Sequence, residues 1–513
     1  MVGAARRRMR MARAAAVPQF GMAEFGMKVV LISTYELGRQ PFGLASPAAW
    51  LREAGIEVAC LDLSRSLLSA DPVLSVRAAD LIAFYLPMHT ATRLAVETLP
   101  RVRDLNPRAH LCFYGLYAPL NETYLRRLGA QTILGGEFEE GLTQLVQRLA
   151  TPDASGTATR DSLRERAQLE PVISMARQRF RVPDRSGLPG LERYARLELP
   201  DGERRVTGYT EATRGCKHHC RHCPIVSVYE GKFRIVQRDV VLADIRQQVA
   251  AGAAHITFGD PDFFNGVGHS LAIVEALHCE HPRLTYDATI KIEHLLRYAH
   301  LLQRLRETGC LFVTTAVECL DDRVLGLLDK GHTREDFLRV VELFREVGLA
   351  LSPTFIPFHP WTTAESYGEM LATLGELGLA ESIAPVQLAI RLLIPAQSKL
   401  LELPEIRASI GEFDERELSY RWTHRDASVE RLHRAVQRIV ALAATEVSGQ
   451  KNRVSRTEIF SRVSEQAATA QRETTPLVWR AGTRTRAALN SRPPVATLRA
   501  RATIPYLSEP WFC

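Results

Sequence analysis

Between Lys28 and Ala150, short apolar runs alternate with amphipathic stretches, and that alternation leaves few folds open. The runs "KVVLIST", "IEVACLDL", "ADLIAFYLP", "HLCFYGLY" and "QTILGG" are short and nearly free of charge, as buried strands are. Between them, "SPAAWLREAG", "TRLAVETLPRVRDL" and "EEGLTQLVQRLA" carry helical spacing. The first is predicted to be capped by Ser46, with Pro47 at its first position. Strand-helix alternation predicts a parallel sheet with helices on both faces. Ligands of such sheets bind at the carboxyl ends of the strands. That nominates the loops "TYELGRQPFGLAS", "LPMHTA", "YGLYAPLNE" and "LGGEFEE".

A second feature fixes chemistry. "RGCKHHCRHCP" sets Cys216, Cys220 and Cys223 in one loop, with His218, His219 and His222 between them. Structural zinc wants two pairs of ligands from separate loops, closed to four. Here three thiols come from one loop, and no second pair lies at zinc-finger distance. Three thiolates suit a cubane iron-sulfur cluster with one iron left open. The histidines are expected around the ligands rather than among them. Lys217 and Arg221 add positive charge beside the cluster. The other cysteines, Cys60, Cys112, Cys279, Cys310, Cys319 and Cys513, are scattered, so the chain has no disulfide framework and fits a reducing, cytoplasmic setting.

The spacing Cys-x3-Cys-x2-Cys resembles that of the radical SAM enzymes. The resemblance implies a [4Fe-4S] cluster whose open iron takes S-adenosylmethionine (SAM). It also implies reductive cleavage to a 5′-deoxyadenosyl radical and an electron donor such as flavodoxin or ferredoxin. Motifs further along the chain extend it. "HITFGDPDFFNG" ends a strand in Gly259, Asp260, Pro261 and Asp262, where these barrels bind the SAM ammonium, and a carboxylate is the acceptor that a cation needs. "GCLFVTTAVECLDDRVLGLLDKGHT" resembles the fourth strand of domains paired with cobalamin or methylthiotransferase modules. It nominates Glu318 for the SAM ribose or amino group, or else as a helix-terminal charge. Arg391 sits inside the apolar "VQLAIRLLIP", the expected sixth strand. It would pair with the SAM carboxylate or form a structural salt bridge. Cys319 adjoins Glu318 and is a candidate for chemistry, although buried structural thiols are common.

The first region resembles the cobalamin-binding domain that precedes many radical SAM domains. The residues implied for cobalamin are Gly38, Gly43, Gly115, Gly135, Gly136 and Glu137, the last from "GGEFEEGL". The loop from Thr34 to Ser46 has no His to ligate cobalt, as in members that bind without a protein ligand. His89 is expected to be a loop residue. The other reading is a Rossmann-like domain used only for packing.

The fold expected is therefore α/β: a Rossmann-like, cobalamin-binding-type parallel sheet, then a partial (β/α)6 radical SAM barrel, then a C-terminal helical extension. Residues 1–26 are Arg/Ala-rich and aperiodic, either an extension ahead of a start at Met22 or Met27 or a transit peptide. Residues 27–150 form the first domain, and 151–205 a linker with a lead-in hairpin turning at "PDGE". Residues 206–400 form the barrel, 401–447 a helical region and 448–513 a basic, largely irregular tail. The order of motifs down to "LSEPWFC" resembles the radical SAM family with Cys-Cys-Ala-Glu-Pro or Cys-Sec-Ala-Glu-Pro tails. That resemblance implies a coding sequence that continues past Cys513 through a UGA codon read as selenocysteine, with Cys513 a second candidate for chemistry; the other reading is a genuine stop, with Cys513 an inert terminal thiol.

The net charge of +7 includes only seven lysines among 65 basic residues, and the excess arginines gather near the ends, so nucleic acid is not the expected partner. No apolar run reaches the ~18 residues of a membrane span. The substrate, a small molecule or a peptide, is not legible. The expected function is radical chemistry on an unidentified substrate, cobalamin-linked, by methyl transfer or rearrangement. Two alternatives stand beside it. One is a methylthiotransferase-like RNA-modifying enzyme, which would want three more clustered cysteines near the start. The other is a zinc-binding interaction protein.

Overall fold

The computed structural model describes residues 26–66, 68, 70–151, 168–445, 454–474 and 504–508. The expectations for the extreme N-terminus, for Cys513 and for the terminal arginines lie outside these residues.

The first sheet has six parallel strands: β1 (Lys28–Ser33), β2 (Glu57–Asp62), β3 (Leu81–Tyr85), β4 (His110–Tyr114), β5 (Thr132–Gly136) and β6 (Ile173–Ser174). Their order is β2-β1-β3-β4-β5-β6. All residues of β3, β4 and β5 are buried, because helices cover both faces; hence the continuous apolar runs. β6 comes from the stretch expected to be linker.

The helix Phe42–Glu53 starts a turn before the predicted cap. Pro47 lies inside it and has no N–H for the Gly43 carbonyl four residues back. The Tyr114 hydroxyl donates to that carbonyl instead, at 2.8 Å. Ser46 caps nothing; its hydroxyl donates to Glu139 at 2.7 Å.

The second sheet opens with the antiparallel pair β7 (Arg196–Glu198) and β8 (Arg204–Thr210), which turns at Asp201-Gly202. A short ribbon follows, β9 (Thr213–Gly215) with β10 (Phe233–Ile235), flanking the cysteine loop. Then come β11 (His255–Phe258), β12 (Thr285–Thr289), β13 (Cys310–Glu318) and β14 (Ala350–Phe355), which continue parallel from β8 as a curled half-barrel. The expected sixth strand is absent. "VQLAIRLLIP" makes a short 3-10 turn, Pro385–Leu388, and one bridge between Phe358 and Arg391. The Gln387 side chain accepts from the Phe355 N–H at 3.0 Å, taking a backbone group that another strand would have paired.

Beyond the barrel, β15 (Ile410–Asp414) and β16 (Ser419–Trp422) form a ribbon, and the helix Ala427–Thr445 comes next, as predicted. Residues 456–474, expected to be irregular, form a second helix. Ile459, Phe460, Val463, Ala467 and Ala470 recur at helical spacing and pack into the barrel core. Finally β17 (Tyr506–Leu507) adds to β7. Among the described residues no helix is long and apolar enough to cross a membrane.

Candidate active site at the cysteine loop

β9 delivers the chain to Cys216 through Gly215, whose φ is +75°. A Cβ there would lie 2.3 Å from the Tyr229 ring and 2.6 Å from the Lys232 carbonyl, so only glycine makes this turn. After Cys223 the chain enters the helix Pro224–Tyr229, with Pro224 in its first turn. Cys220 is buried, Cys216 and Cys223 are half-buried, and none is in a disulfide. The Arg221 N–H donates to the Leu328 carbonyl at 2.9 Å, pinning the loop beside the segment after β13. Burial pushes the Cys216 thiol up to about 11, so metal binding there must displace a proton.

Three carboxylates stand around this loop at the carboxyl ends of β11 and β13, and each is engaged by the chain's own groups. Asp262 takes His218 Nε2 at 3.2 Å and has His294 Nδ1 2.6 Å from the same oxygen. Burial would raise its pKa, but the two imidazoles hold it down at about 2. Lys291 Nζ completes this group, 3.1 Å from His218 Nδ1. Glu318 sits at a bulge with φ +70°, a conformation costly for a side-chain-bearing residue. That turn aims its carboxylate at Lys330 Nζ and His222 Nε2, each 3.0 Å away. Burial again opposes ionisation, and again the cations win, holding Glu318 well below the usual range. Asp260 differs: it accepts from Thr213 Oγ1 at 2.6 Å and the Ala212 N–H at 3.0 Å, and with no cation to offset burial it is held up at about 7.

So Asp260 ties β11 to the start of the cysteine loop, while Asp262 and Glu318 anchor the loop's own histidines. Pro261 is half-exposed between the two aspartates. Gly259 is not an open cradle: its Cβ would fall 1.9 Å from the Tyr209 hydroxyl, so the glycine serves that packing. Two nominated residues take the structural reading given beside the functional one. Arg391 is committed to an ion pair with Glu430 at 2.9 Å, donates to the Trp422 carbonyl and lies 3.6 Å from the centre of the Trp422 ring, so its charge is spent. Cys319 is buried with Leu325, Leu392 and Ile394, and burial pushes its thiol up to about 12, an inert setting.

Lys291, His294, Lys330 and His332 were not singled out from sequence. A signal was there: each comes after a barrel strand, and two stand in "DKGHT". His332 is buried, neither ring nitrogen has a hydrogen-bond partner, and burial with nearby Lys330 lowers its pKa to about 4. A neutral, unsatisfied imidazole beside the loop is a group that a ligand would complete.

The residues expected to cradle cobalamin lie at the carboxyl edge of the first sheet, and all six are engaged by the chain. Tyr85 fills the space at Gly43, where a Cβ would meet its ring at 2.1 Å, and presses on Gly115 at 3.0 Å. Pro119 fills Gly135 at 2.5 Å, and the Ser174 carbonyl fills Gly136 at 2.2 Å. The Gly38 carbonyl accepts from Ala195 at 2.8 Å. Glu137 faces Arg214 at 3.5 Å and accepts from the Tyr229 hydroxyl at 3.3 Å. His89, read as a loop residue, opens the helix His89–Leu105 and bonds to the Glu417 carbonyl at 2.5 Å.

The model of the radical SAM superfamily matches residues 210–374, from the end of β8 through β14. This is a radical SAM domain. The family's cofactors are a [4Fe-4S] cluster and SAM. The cobalamin-dependent SAM radical enzyme OxsB, solved with aqua-cobalamin, superposes with a TM-score of 0.66 over 87% of this chain and 72% of that one, at 14% identity. The methyltransferase TsrM from Kitasatospora setae, solved with cobalamin and a [4Fe-4S] cluster, gives 0.56 over 87% and 99%, at 16% identity. These likenesses establish a shared two-domain fold. Among curated proteins, a tRNA-2-methylthio-N(6)-dimethylallyladenosine synthase from Sulfurihydrogenibium sp. (strain YO3AOP1) is 26% identical over 34% of this chain and 42% of its own length. A second, from Hahella chejuensis (strain KCTC 2396), is 22% identical over 42% of this chain and 50% of its own length. The chain thus spans half or less of these two relatives.

Proposed function

We propose that the chain cleaves SAM reductively at a [4Fe-4S] cluster held by Cys216, Cys220 and Cys223, and so starts radical chemistry at an unactivated C–H bond. The observation that carries this reading is the donor set: three thiols on one pinned loop, flanked by two buried ammonium groups. Lys291 acts electrostatically on Cys216, and Lys330 on Cys220 and Cys223. Cations so placed suit thiolates and an anionic cluster, and a donor set of three leaves the fourth iron open for SAM. Bound there, the cluster supplies the electron that breaks the SAM sulfonium bond.

The chain's own residues supply the rest. The Asp262–His218–His294 group and the Glu318–His222–Lys330 group fix the loop from two sides. His332 Nδ1 and Nε2 remain available to a ligand. Flavodoxin or ferredoxin is the class of donor proposed. The alternative of methylthio transfer to RNA is weakened by the first domain, where Cys60 and Cys112 are both buried, in separate strands, and do not form a second triad. The finer reading, corrinoid-linked methyl transfer or rearrangement, is raised by the solved neighbours. It needs room at the carboxyl edge of the first sheet, and the glycines there are already filled.

Anaerobically reconstituted protein is expected to hold about four irons per chain and to form 5′-deoxyadenosine from SAM and dithionite. Cys216→Ala, Cys220→Ala and Cys223→Ala should each lose both properties. Full cleavage by any one of them would refute the ligand set.

A further inference from the structure

The first sheet's edge raises a question that its fold neighbours do not settle: what occupies the place where such a sheet takes a ligand. Tyr85 ends β3, and its ring meets Tyr114 at 5.4 Å and Phe138 at 6.0 Å between centroids. All three rings are buried and pack in the domain's own core. At the glycine end of β5 two donors are taken by the sixth strand: the Gly135 N–H goes to the Val172 carbonyl at 2.7 Å and the Glu137 N–H to the Ser174 carbonyl at 2.9 Å. A ligand would have to displace an aromatic cluster and the sixth strand together.

The same edge grips the cysteine loop at both ends. Arg214 stands two residues before Cys216, only 6% exposed. Its guanidinium pairs with Glu139 at 2.6 Å and Glu137 at 3.5 Å, both in the turn from β5 into the helix Phe138–Ala150, and with Glu211 at 2.7 Å. It lies over the rings of Phe42, Phe138 and Phe180, at 4.9 to 5.6 Å. On the far side of the loop, Val228 and Tyr229 belong to the first domain's core.

We infer that the carboxyl edge of the first sheet is closed to a corrinoid and serves as a clamp that positions the cluster loop, with Arg214 as its positioning residue. This stands apart from the proposal that the loop holds a cluster, since it concerns what the first domain does. A planar, five-donor cation suits the role: it satisfies three carboxylates from two domains at once.

The test uses full-length protein, produced with hydroxocobalamin supplied and reconstituted with iron and sulfide. Iron, sulfide and cobalt are measured on the same sample. Four irons with less than a tenth of a cobalt per chain support the closed edge; one cobalt per chain, with a matching corrinoid spectrum, overturns it. Arg214→Gln and Arg214→Lys test the clamp by electron paramagnetic resonance of the reduced cluster. Arg214→Gln is expected to broaden or shift the signal, with Arg214→Lys nearer to wild type. A signal unchanged in Arg214→Gln at full iron content overturns the clamp. Failure to bind iron at all, in the wild type, would instead count against the cluster assignment.

Discussion

The two sheets end alike and behave differently. The first is parallel throughout and the second parallel from β8 to β14; both carry glycines at their carboxyl ends, and both edges face the cysteine loop. At the first edge the space beside the glycines is taken by Tyr85, Pro119 and Ser174, so the glycines serve internal packing. At the second, the strand ends present Asp262 and Glu318, each ionised against histidine or lysine, around one buried and two half-buried thiols. Fold places a ligand edge, and side chains decide whether it is open. A glycine-rich loop is therefore weak evidence for a ligand until its neighbours are known.

The largest expected effect on stability is at Lys330. Lys330→Met leaves Glu318 buried with only His222 for charge, and should cost about 3–5 kcal/mol. Glu318→Gln should cost less, because its amide oxygen still accepts from Lys330 and His222. Urea midpoints on the two variants compare them; equal small costs would mean that the pair is solvated and the second edge is not the charged site described.

Proton linkage separates the edges next. Glu137 at the first and Asp260 at the second are both held up at about 7, chiefly by burial, from ordinary values of 4.5 and 3.8. A carboxyl that is raised on folding binds a proton in the native state. Its contribution is complete below the unfolded value and is lost as pH rises to the folded one. Stability of the metal-free chain should fall between about pH 4 and pH 7, by about 3–4 kcal/mol for each group. Asp260→Asn, which keeps the acceptor for the Ala212 N–H, should flatten part of that slope. A slope identical to wild type would show Asp260 ionised in the fold.

Smaller effects sharpen the comparison. Gly43→Ala drives a methyl group into the Tyr85 ring and should cost about 1–3 kcal/mol by overpacking. A cost-free Gly43→Ala would mean that Tyr85 can leave, and that the first edge can open. Arg391→Ala breaks a partly exposed pair and should cost about 1 kcal/mol. The Kd for SAM should be unchanged; a tenfold rise would return Arg391 to the SAM site.

Much of this was legible in the chain. The parallel strands emerge from apolar runs without alternation, and the cysteine loop from its spacing. Other features hid for physical reasons. The helix Arg456–Thr474 carries small and polar residues, so its stripe of Ile459, Phe460, Val463 and Ala467 is thin, and only the barrel core makes it a helix. The sixth strand failed because Gln387 bonds through its side chain where a strand would use backbone. Sequence left Arg391 between the SAM carboxylate and a salt bridge, because it does not show Glu430 arriving 39 residues later. Tyr85 and Gly43 are 42 residues apart, and their mutual fit appears only once β3 and the first helix are packed.

The two edges are told apart most directly by electron paramagnetic resonance of the reduced cluster, recorded alone, with SAM, and with hydroxocobalamin. An open second edge and a closed first edge predict a signal that SAM shifts and cobalamin leaves unchanged. A signal indifferent to SAM, or one that moves with cobalamin, would contradict that assignment of the two edges.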